Sequence, residues 1–328
     1  MAFFDLSPDA LASYAPPLDE PADFDAFWAR TFAEHGSGDV DLRVEPVATF
    51  MTLVDTYDIS WRGWNGERVK GWLLLPAGAS GPLPAVVQYT GYSIGRGMPF
   101  DKLIYVAGGY AHFVIDARGQ GWATPASHPG TDDTGTRMAG ATRGLMTEGV
   151  LAPETYYYRR LFVDVVRLVE AAGTHPAVDP ARIAVAGGSQ GGAMALAAAG
   201  LASHRGVEVA ACSAEVPFLC HFTRAIGLTD AYPYKEVADY LAVHPQHRGQ
   251  VMDTLSYFDG MSTAARASAP ALFSAGLMDA ITPPSTVFAA YHHYAGAKEI
   301  EVYPFNGHEG GRGYHVERIM AWLARVLR

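Results

Sequence analysis

The stretch AVAGGSQGGAMALA, residues 184–197, sets one serine between two glycine pairs. Glycine-rich turns of this kind either cradle phosphates on backbone N–H groups or expose a nucleophile. A phosphate loop needs Gly-Lys-Ser/Thr, and no lysine lies near Ser189. A dinucleotide fingerprint needs G-x-G-x-x-G in the first βα unit, with an acid about 20 residues on. Here at least two strand candidates precede the turn, and Glu208 falls at the start of another. Gly187-Gly188-Ser189-Gln190-Gly191 instead matches G-x-S-x-G, the strained strand-to-helix turn that lifts a serine hydroxyl clear of a sheet. A side chain two residues either side of the serine would collide with the neighbouring strand or helix. The next N–H, that of Gln190, opens a helix and is placed to donate to a developing oxyanion. An inert serine in a glycine-rich packing turn is the plain alternative.

A serine hydroxyl at its ordinary pKa is a weak nucleophile and needs a base, itself oriented by an acid. For this turn the chain order is Ser, then Asp or Glu, then His. Of the twelve histidines, His35, His204, His244 and His247 fall on helical or exposed stretches, His112 in a strand and His175 in a loop before the serine. His292 and His293 sit in a late helix, with one expected to face solvent. His308 differs. It stands in Asn306-Gly307-His308-Glu309-Gly310-Gly311, after the last strand candidate and before the final helix. It is the candidate base, with His315 in that helix as the alternative. The acid must follow a strand in between. PALFSAG ends at Gly276, and Asp279 comes just after it, one strand ahead of His308. Asp253 and Asp259 lie in a presumed insertion and would have to reach in; a helix cap or a solvated carboxylate is the plain role for any of these acids. A second oxyanion donor is expected after an early strand, where AVVQY runs into Thr90-Gly91-Tyr92 and offers the N–H of Tyr92. His244-x-x-His247 lacks an acidic or cysteine partner, so no metal and no other cofactor is expected.

Chemistry in open α/β sheets sits at the C-terminal ends of the strands, and the rest of the chain supplies such a sheet. Short apolar runs at 85–90, 111–117, 183–187, 207–214, 270–276 and 299–305 alternate with helices expected over 100–108, 156–173, 190–203, 284–296 and 312–327. Continuous β-rich runs alternating with helices predict an α/β fold, a mostly parallel central sheet covered on both faces. An antiparallel hairpin precedes it, turning at Trp64-Asn65-Gly66. Residues 1–40 read as an N-terminal helical extension: a Pro-rich, irregular stretch over 1–22, then a helix with Phe24, Phe27, Trp28 and Phe32 on one side. Residues 122–155 read as a polar, Gly-rich excursion, a candidate oligomer contact. Residues 217–262 read as a helical insertion over the active site. The whole, 1–328, reads as one domain.

Bulk properties narrow the function classes. At 328 residues, 49% hydrophobic and 18% charged, the chain has an ordinary globular balance. A net charge of −10 argues against a nucleic-acid or anionic-membrane surface as the main function. No run approaches the roughly 18 apolar residues of a membrane helix. The N-terminal stretch lacks a basic segment followed by an apolar core, and the two cysteines, Cys212 and Cys220, form no framework. Reduced thiols in a cytoplasmic protein are the expectation.

Three marks together, Arg118-Gly119-Gln120-Gly121, Gly187-Gly188-Ser189-Gln190-Gly191-Gly192 and His308-Glu309, carry a resemblance over most of the chain. With the stretches 142–167 and VPFLCHFTRAI (216–226), the sequence resembles the acetyl xylan esterase/cephalosporin-C deacetylase family, carbohydrate esterase family seven, of the α/β-hydrolase superfamily. The resemblance implies Ser189 as nucleophile with Asp279 and His308, an oxyanion hole from the N–H groups of Tyr92 and Gln190, and Arg118 and Gln120 as structural supports near the site. It implies removal of acetyl groups from acetylated saccharides and small acetate esters such as cephalosporin C. It also implies a homohexamer with active sites facing an interior cavity, the excursion at 122–155 contributing to its contacts. One departure stands out: the family's usual His-Gly-Tyr is here Thr90-Gly91-Tyr92. Another small-ester or lactone hydrolase, a peptidase of the prolyl-oligopeptidase type without its propeller, and a non-catalytic binding scaffold are the rival readings.

Overall fold

The computed structural model describes residues 3–135 and 144–327. Its sheet opens with β1 (Arg43–Pro46), β2 (Val54–Arg62) and β3 (Arg68–Pro76), all antiparallel. Asn65 and Gly66 take φ of 52° and 74° between β2 and β3, the positive values that an Asn-Gly turn supplies cheaply. Six further strands follow: β4 (Leu83–Tyr89), β5 (Ala111–Ile115), β6 (Val178–Gly188), β7 (Ala211–Glu215), β8 (Ala271–Gly276) and β9 (Lys298–Tyr303). The order is β1-β2-β3-β5-β4-β6-β7-β8-β9, and every pair from β5 to β9 is parallel. The expected sheet is therefore present, a mostly parallel one with an antiparallel opening.

Eleven α-helices are described: α1 (Pro8–Ala12), α2 (Phe24–His35), α3 (Leu103–Ala107), α4 (Tyr157–Thr174), α5 (Gln190–Leu201), α6 (Phe222–Leu228), α7 (Tyr234–Val243), α8 (Arg248–Ser256), α9 (Gly260–Ala264), α10 (Pro284–His293) and α11 (Arg312–Val326). Alternate residues of the central strands face opposite layers. Val87, Val185 and Phe273 join α2, α4 and α5 in the larger core, while Val86, Ala184 and Leu272 pack with Tyr105 of α3 and Ile319, Trp322 and Leu323 of α11. Burial on both faces explains the continuous apolar runs. The aromatic side of α2 is buried as its spacing predicts, with Trp28 stacked on Phe162 of α4 at 5.7 Å between ring centroids.

Three local expectations are corrected. The stretch 1–22 is not wholly irregular: Ser7 caps α1 through Ala10 N, with Pro8 at the first helical position, two start signals. The run expected as a strand from 207 pairs only from Ala211, because Gly206 ends the preceding turn at φ 66° and residues 207–210 bring the chain back to the sheet. The first contact to β6 there is Ala210 N to Ile183 O. Strand β1 was not expected, being four residues long with charged ends and a proline.

Candidate active site

Ser189 sits between β6 and α5 with φ 58° and ψ −121°, a conformation few L-residues adopt. Three backbone hydrogen bonds hold it there. Its N–H donates to Glu215 O at 2.9 Å, and its carbonyl accepts from Phe218 N and Ala193 N at 3.0 and 3.1 Å. The hydroxyl does not cap the helix it precedes. The flanking glycines are sterically required: a Cβ on Gly187 would stand 2.6 Å from the Gly191 carbonyl carbon, and one on Gly191 would run into Tyr89 O. Neighbouring backbone thus enforces the spacing of the G-x-S-x-G pattern.

Asp279, fully buried beyond the end of β8, uses both carboxylate oxygens. Oδ1 accepts from Ile281 N at 2.8 Å and Thr282 N at 3.0 Å. Oδ2 accepts from Thr282 Oγ1 at 2.7 Å and lies 2.9 Å from His308 Nδ1. A carboxylate acceptor there puts the imidazole proton on Nδ1 and leaves Nε2 as the open basic nitrogen. His308 and Ser189 line the same two cavities. Serine, histidine and aspartate, read from chain order alone, thus come together at the C-terminal edge of the sheet.

The alternatives do not meet there. Buried His315 hydrogen-bonds Tyr303 Oη through Nδ1 at 3.0 Å, and burial holds its imidazole down to about 4. Asp259 caps α9 and accepts from the N–H groups of His221 and Phe222, while Asp253 is exposed on α8. His112 is buried between Lys102 O and Gln88 Oε1. His292 and His293 are both half-buried and bonded to the carbonyls of Leu11 and Pro16, so neither is the solvent-facing one expected. Among the described residues no cluster of three or more His, Cys, Asp or Glu could hold a metal ion. Cys212 and Cys220 are free, buried thiols.

Among the described residues, neither Tyr92 N–H nor Gln190 N–H has an acceptor inside the protein. Their segments are tied together by side-chain amides. Gln120 Oε1 accepts from Ser93 N at 2.7 Å, and Gln120 Nε2 donates to Gln190 Oε1 at 2.9 Å, with Gln190 Nε2 returning to Gln120 Oε1 at 3.3 Å. Tyr157 Oη accepts from Gln120 Nε2, and Tyr158 Oη donates to Gln190 Oε1, each at 2.9 Å. The Tyr92 phenol donates to Glu236 at 2.9 Å. Buried Arg118 bonds Asp164 at 2.6 and 3.1 Å, Glu67 at 2.8 Å and Asp133 at 3.1 Å, while its carbonyl accepts from Tyr157 Oη at 2.6 Å. Thr90, where the resembled family has histidine, is buried, and its hydroxyl has no partner among the described residues.

The first cavity, about 580 Å³, is walled by Tyr92, Ile94, Trp122, Pro233, Glu236 and Ile281 around Ser189 and His308. Tyr232, Pro233 and Glu236 come from the helical segment between β7 and β8. Within the expected excursion, Trp122 and Ala123 line this cavity, while residues 136–143 lie outside the described residues. Sequence reasoning missed Thr282, which contacts both Asp279 and His308 (3.2 Å to Nδ1); the Asp-x-x-Thr spacing of a carboxylate-capped turn was its available signal.

A family model described as acetyl xylan esterase (AXE1) matches residues 1–326. Among solved structures, the acetyl xylan esterase from Paenibacillus sp. R4 is 38% identical, with TM-score 0.89 over 98% of this chain and 100% of that one. Acetyl xylan esterase 1 from Thermoanaerobacterium sp. JW/SL YS485 is 32% identical, with TM-score 0.88 over 98% and 99%. The acetyl esterase Axe7A of Xylanibacter ruminicola is 26% identical over 92% of this chain, which spans 66% of that longer protein.

Proposed function

The chain belongs to the acetyl xylan esterase family, and on that premise we propose that it is a serine carboxylic-ester hydrolase removing acetyl groups from acetylated saccharides and related small acetate esters, cephalosporin C among them. The observation that carries the mechanism is the 2.9 Å contact of His308 Nδ1 with Asp279, beside the serine on the same cavity. His308 Nε2 takes the proton of Ser189 as its oxygen attacks the acetyl carbonyl, and Asp279 stabilises the imidazolium. The unused N–H groups of Tyr92 and Gln190 receive the oxyanion. The acetyl methyl goes to the apolar wall of Ile94, Trp122, Pro233 and Ile281. The alcohol leaves with the proton from His308, and a water activated by the same nitrogen releases acetate from Ser189.

Ser189→Ala should lower kcat on p-nitrophenyl acetate by about 10³-fold or more, because the covalent step is lost. A wild-type rate in that variant sinks the reading. Initial rates on acetate, propionate and butyrate esters test the acyl limit, and a preference for longer chains points to a different ester hydrolase. A cytoplasmic location accords with the buried free thiols. A homohexamer accords with the exposed apolar side chains of Phe50, Leu53, Phe305 and Tyr314, and light scattering of the purified protein measures it.

A further inference from the structure

A second cavity, about 330 Å³, opens on Ser189 and His308 with a different lining. The first has Glu236 as its one carboxylate, whereas this one has Gln88, Lys102, Glu215 and Glu309 in its wall. Gln88 is engaged by His112, and Glu309 by Asn306 and Gly307 of its own loop. Glu215 and Lys102 are not engaged: neither the carboxyl nor Nζ takes part in a hydrogen bond or ion pair among the described residues. The fully buried carboxyls, by contrast, are satisfied, Asp164 by Arg118, Asp259 by three backbone N–H groups, Asp116 by Arg96 N and Thr131 N. Both side chains are part-buried, and two partnerless groups of opposite charge facing one cavity beside the serine point to a ligand that bonds both. Glu215 cannot drift from this place. It ends β7, level with Gly188 in the parallel register, and its carbonyl anchors Ser189 N.

We propose that this second cavity is the subsite for the alcohol half of the ester, and that Glu215 and Lys102 determine its specificity by gripping a neutral, hydroxyl-rich ring. The inference rests on the esterase reading above. A carboxylate accepts two O–H groups of a vicinal diol, and an ammonium donates to a hydroxyl or a ring oxygen. An anionic ligand would face Glu215 and Glu309, and a cationic one would face Lys102. A polyol answers both signs. Burial acts on the pair in the same sense, lifting the Glu215 carboxyl to about 7 and holding the Lys102 ammonium below its ordinary range. His308 lines both cavities, so an alcohol seated here leaves beside the nitrogen that must protonate it.

The test compares kcat/KM on acetylated xylobiose with kcat/KM on p-nitrophenyl acetate, whose leaving group has no diol, in Glu215→Gln and Lys102→Met. The sugar-to-aryl ratio should fall tenfold or more in each variant. Calorimetric titration with unacetylated xylobiose gives a second readout, with Kd expected to rise at least fivefold in each. A ratio and a Kd that stay within threefold of wild type in both variants overturn the subsite. Lys102 lies outside the sheet and its Nζ makes no bond to lose, so Lys102→Met carries the test even if Glu215→Gln folds poorly. Should wild type hydrolyse neither ester, the esterase reading fails and the titration alone judges the subsite; no xylobiose binding to wild type overturns it.

Discussion

Replacing Asp279 by Asn changes only the chemistry of one carboxylate oxygen, and the surroundings dictate which one. Oδ1 receives the N–H groups of Ile281 and Thr282 at 2.8 and 3.0 Å, whereas Oδ2 faces His308 Nδ1 and the Thr282 hydroxyl. An Asn amide turned the other way would set its NH2 against two N–H donors, leaving each unpaired at about 1–3 kcal/mol. The carbonyl must therefore stay on the Oδ1 side, and the NH2 must point at Nδ1. Nδ1 becomes an acceptor, the ring proton moves to Nε2, and the nitrogen that should accept the Ser189 proton already carries one.

A serine hydrolase with its base in the wrong tautomer loses about 10⁴-fold in kcat, roughly 5 kcal/mol of transition-state stabilisation. The side-chain volume is unchanged and the Oδ1 bonds persist, so the melting temperature should move by only a few degrees. Thr282→Val is the control. It removes one hydroxyl from Oδ2 but keeps the carboxylate and the tautomer, so its cost is bounded by one hydrogen bond to a charged group, about 1.5–3 kcal/mol. Steady-state kcat on p-nitrophenyl acetate at pH 8, with circular dichroism melting of each variant, reads both. Asp279→Asn should fall at least about 50-fold below Thr282→Val. Equal losses in the two folded variants, or a loss under about 100-fold in Asp279→Asn, refute the tautomer reasoning.

Two further outcomes follow from the hydrogen-bonding and burial. Gln120→Leu removes the acceptor of Ser93 N and the partner of the Gln190 amide, so kcat should drop by about 10²–10³, the cost of one misplaced oxyanion donor, with KM changed only a few-fold; kcat within threefold of wild type would show that the amide pair does not set the donors. Burial raises the folded-state pKa of Glu215 from 4.5 to about 7, so the native protein binds this proton more tightly than the unfolded chain. Stability from this group is complete below about pH 4.5 and is lost as pH rises through about 7, a loss of at most about 3 kcal/mol. Glu215→Gln should therefore melt higher than wild type at pH 8 and no higher at pH 4.5, as denaturation curves at the two values will tell.

Legibility from sequence followed the range of the forces involved. Apolar runs alternating with helices reveal a covered parallel sheet because burial on both faces favours apolar residues at successive positions of a strand. The meeting of Asp279 with His308 was legible for a related reason: both follow strands that end on the edge carrying the serine turn. Strand β1 escaped notice because an edge strand needs little burial, and RVEP carries no alternation to read. Glu215 and Lys102 escaped because nothing local in the sequence says which charges share a cavity. Only the meeting of the segments after β4, β7 and β9 brings the two to one.

Of the two oxyanion donors we propose, the G-x-S-x-G turn by itself places one, Gln190 N–H, through the start of a helix. The other, Tyr92 N–H, is proposed on the loop beyond β4, whose parallel ladder to β6 ends at Tyr89 and Gly187, three residues short of each donor. Past the end of that ladder a side chain braces the two segments. Gln120 takes the neighbouring Ser93 N–H on its oxygen and the Gln190 amide on its nitrogen, so one planar group spans the two segments. Glutamate there would offer acceptors alone and lose the two bonds that Gln120 Nε2 donates, to Gln190 Oε1 and Tyr157 Oη; an apolar residue would lose everything. The spacer is in turn immobilised by Arg118, whose guanidinium is enclosed by Asp164, Asp133 and Glu67. A buried ion cluster of this kind adds little net stability, yet removing one member costs about 3–5 kcal/mol because the others stay buried unpaired. Its value lies in fixing where the loop stands. In the proposed mechanism the Arg-Gly-Gln-Gly stretch would hold the oxyanion donors without touching the oxyanion.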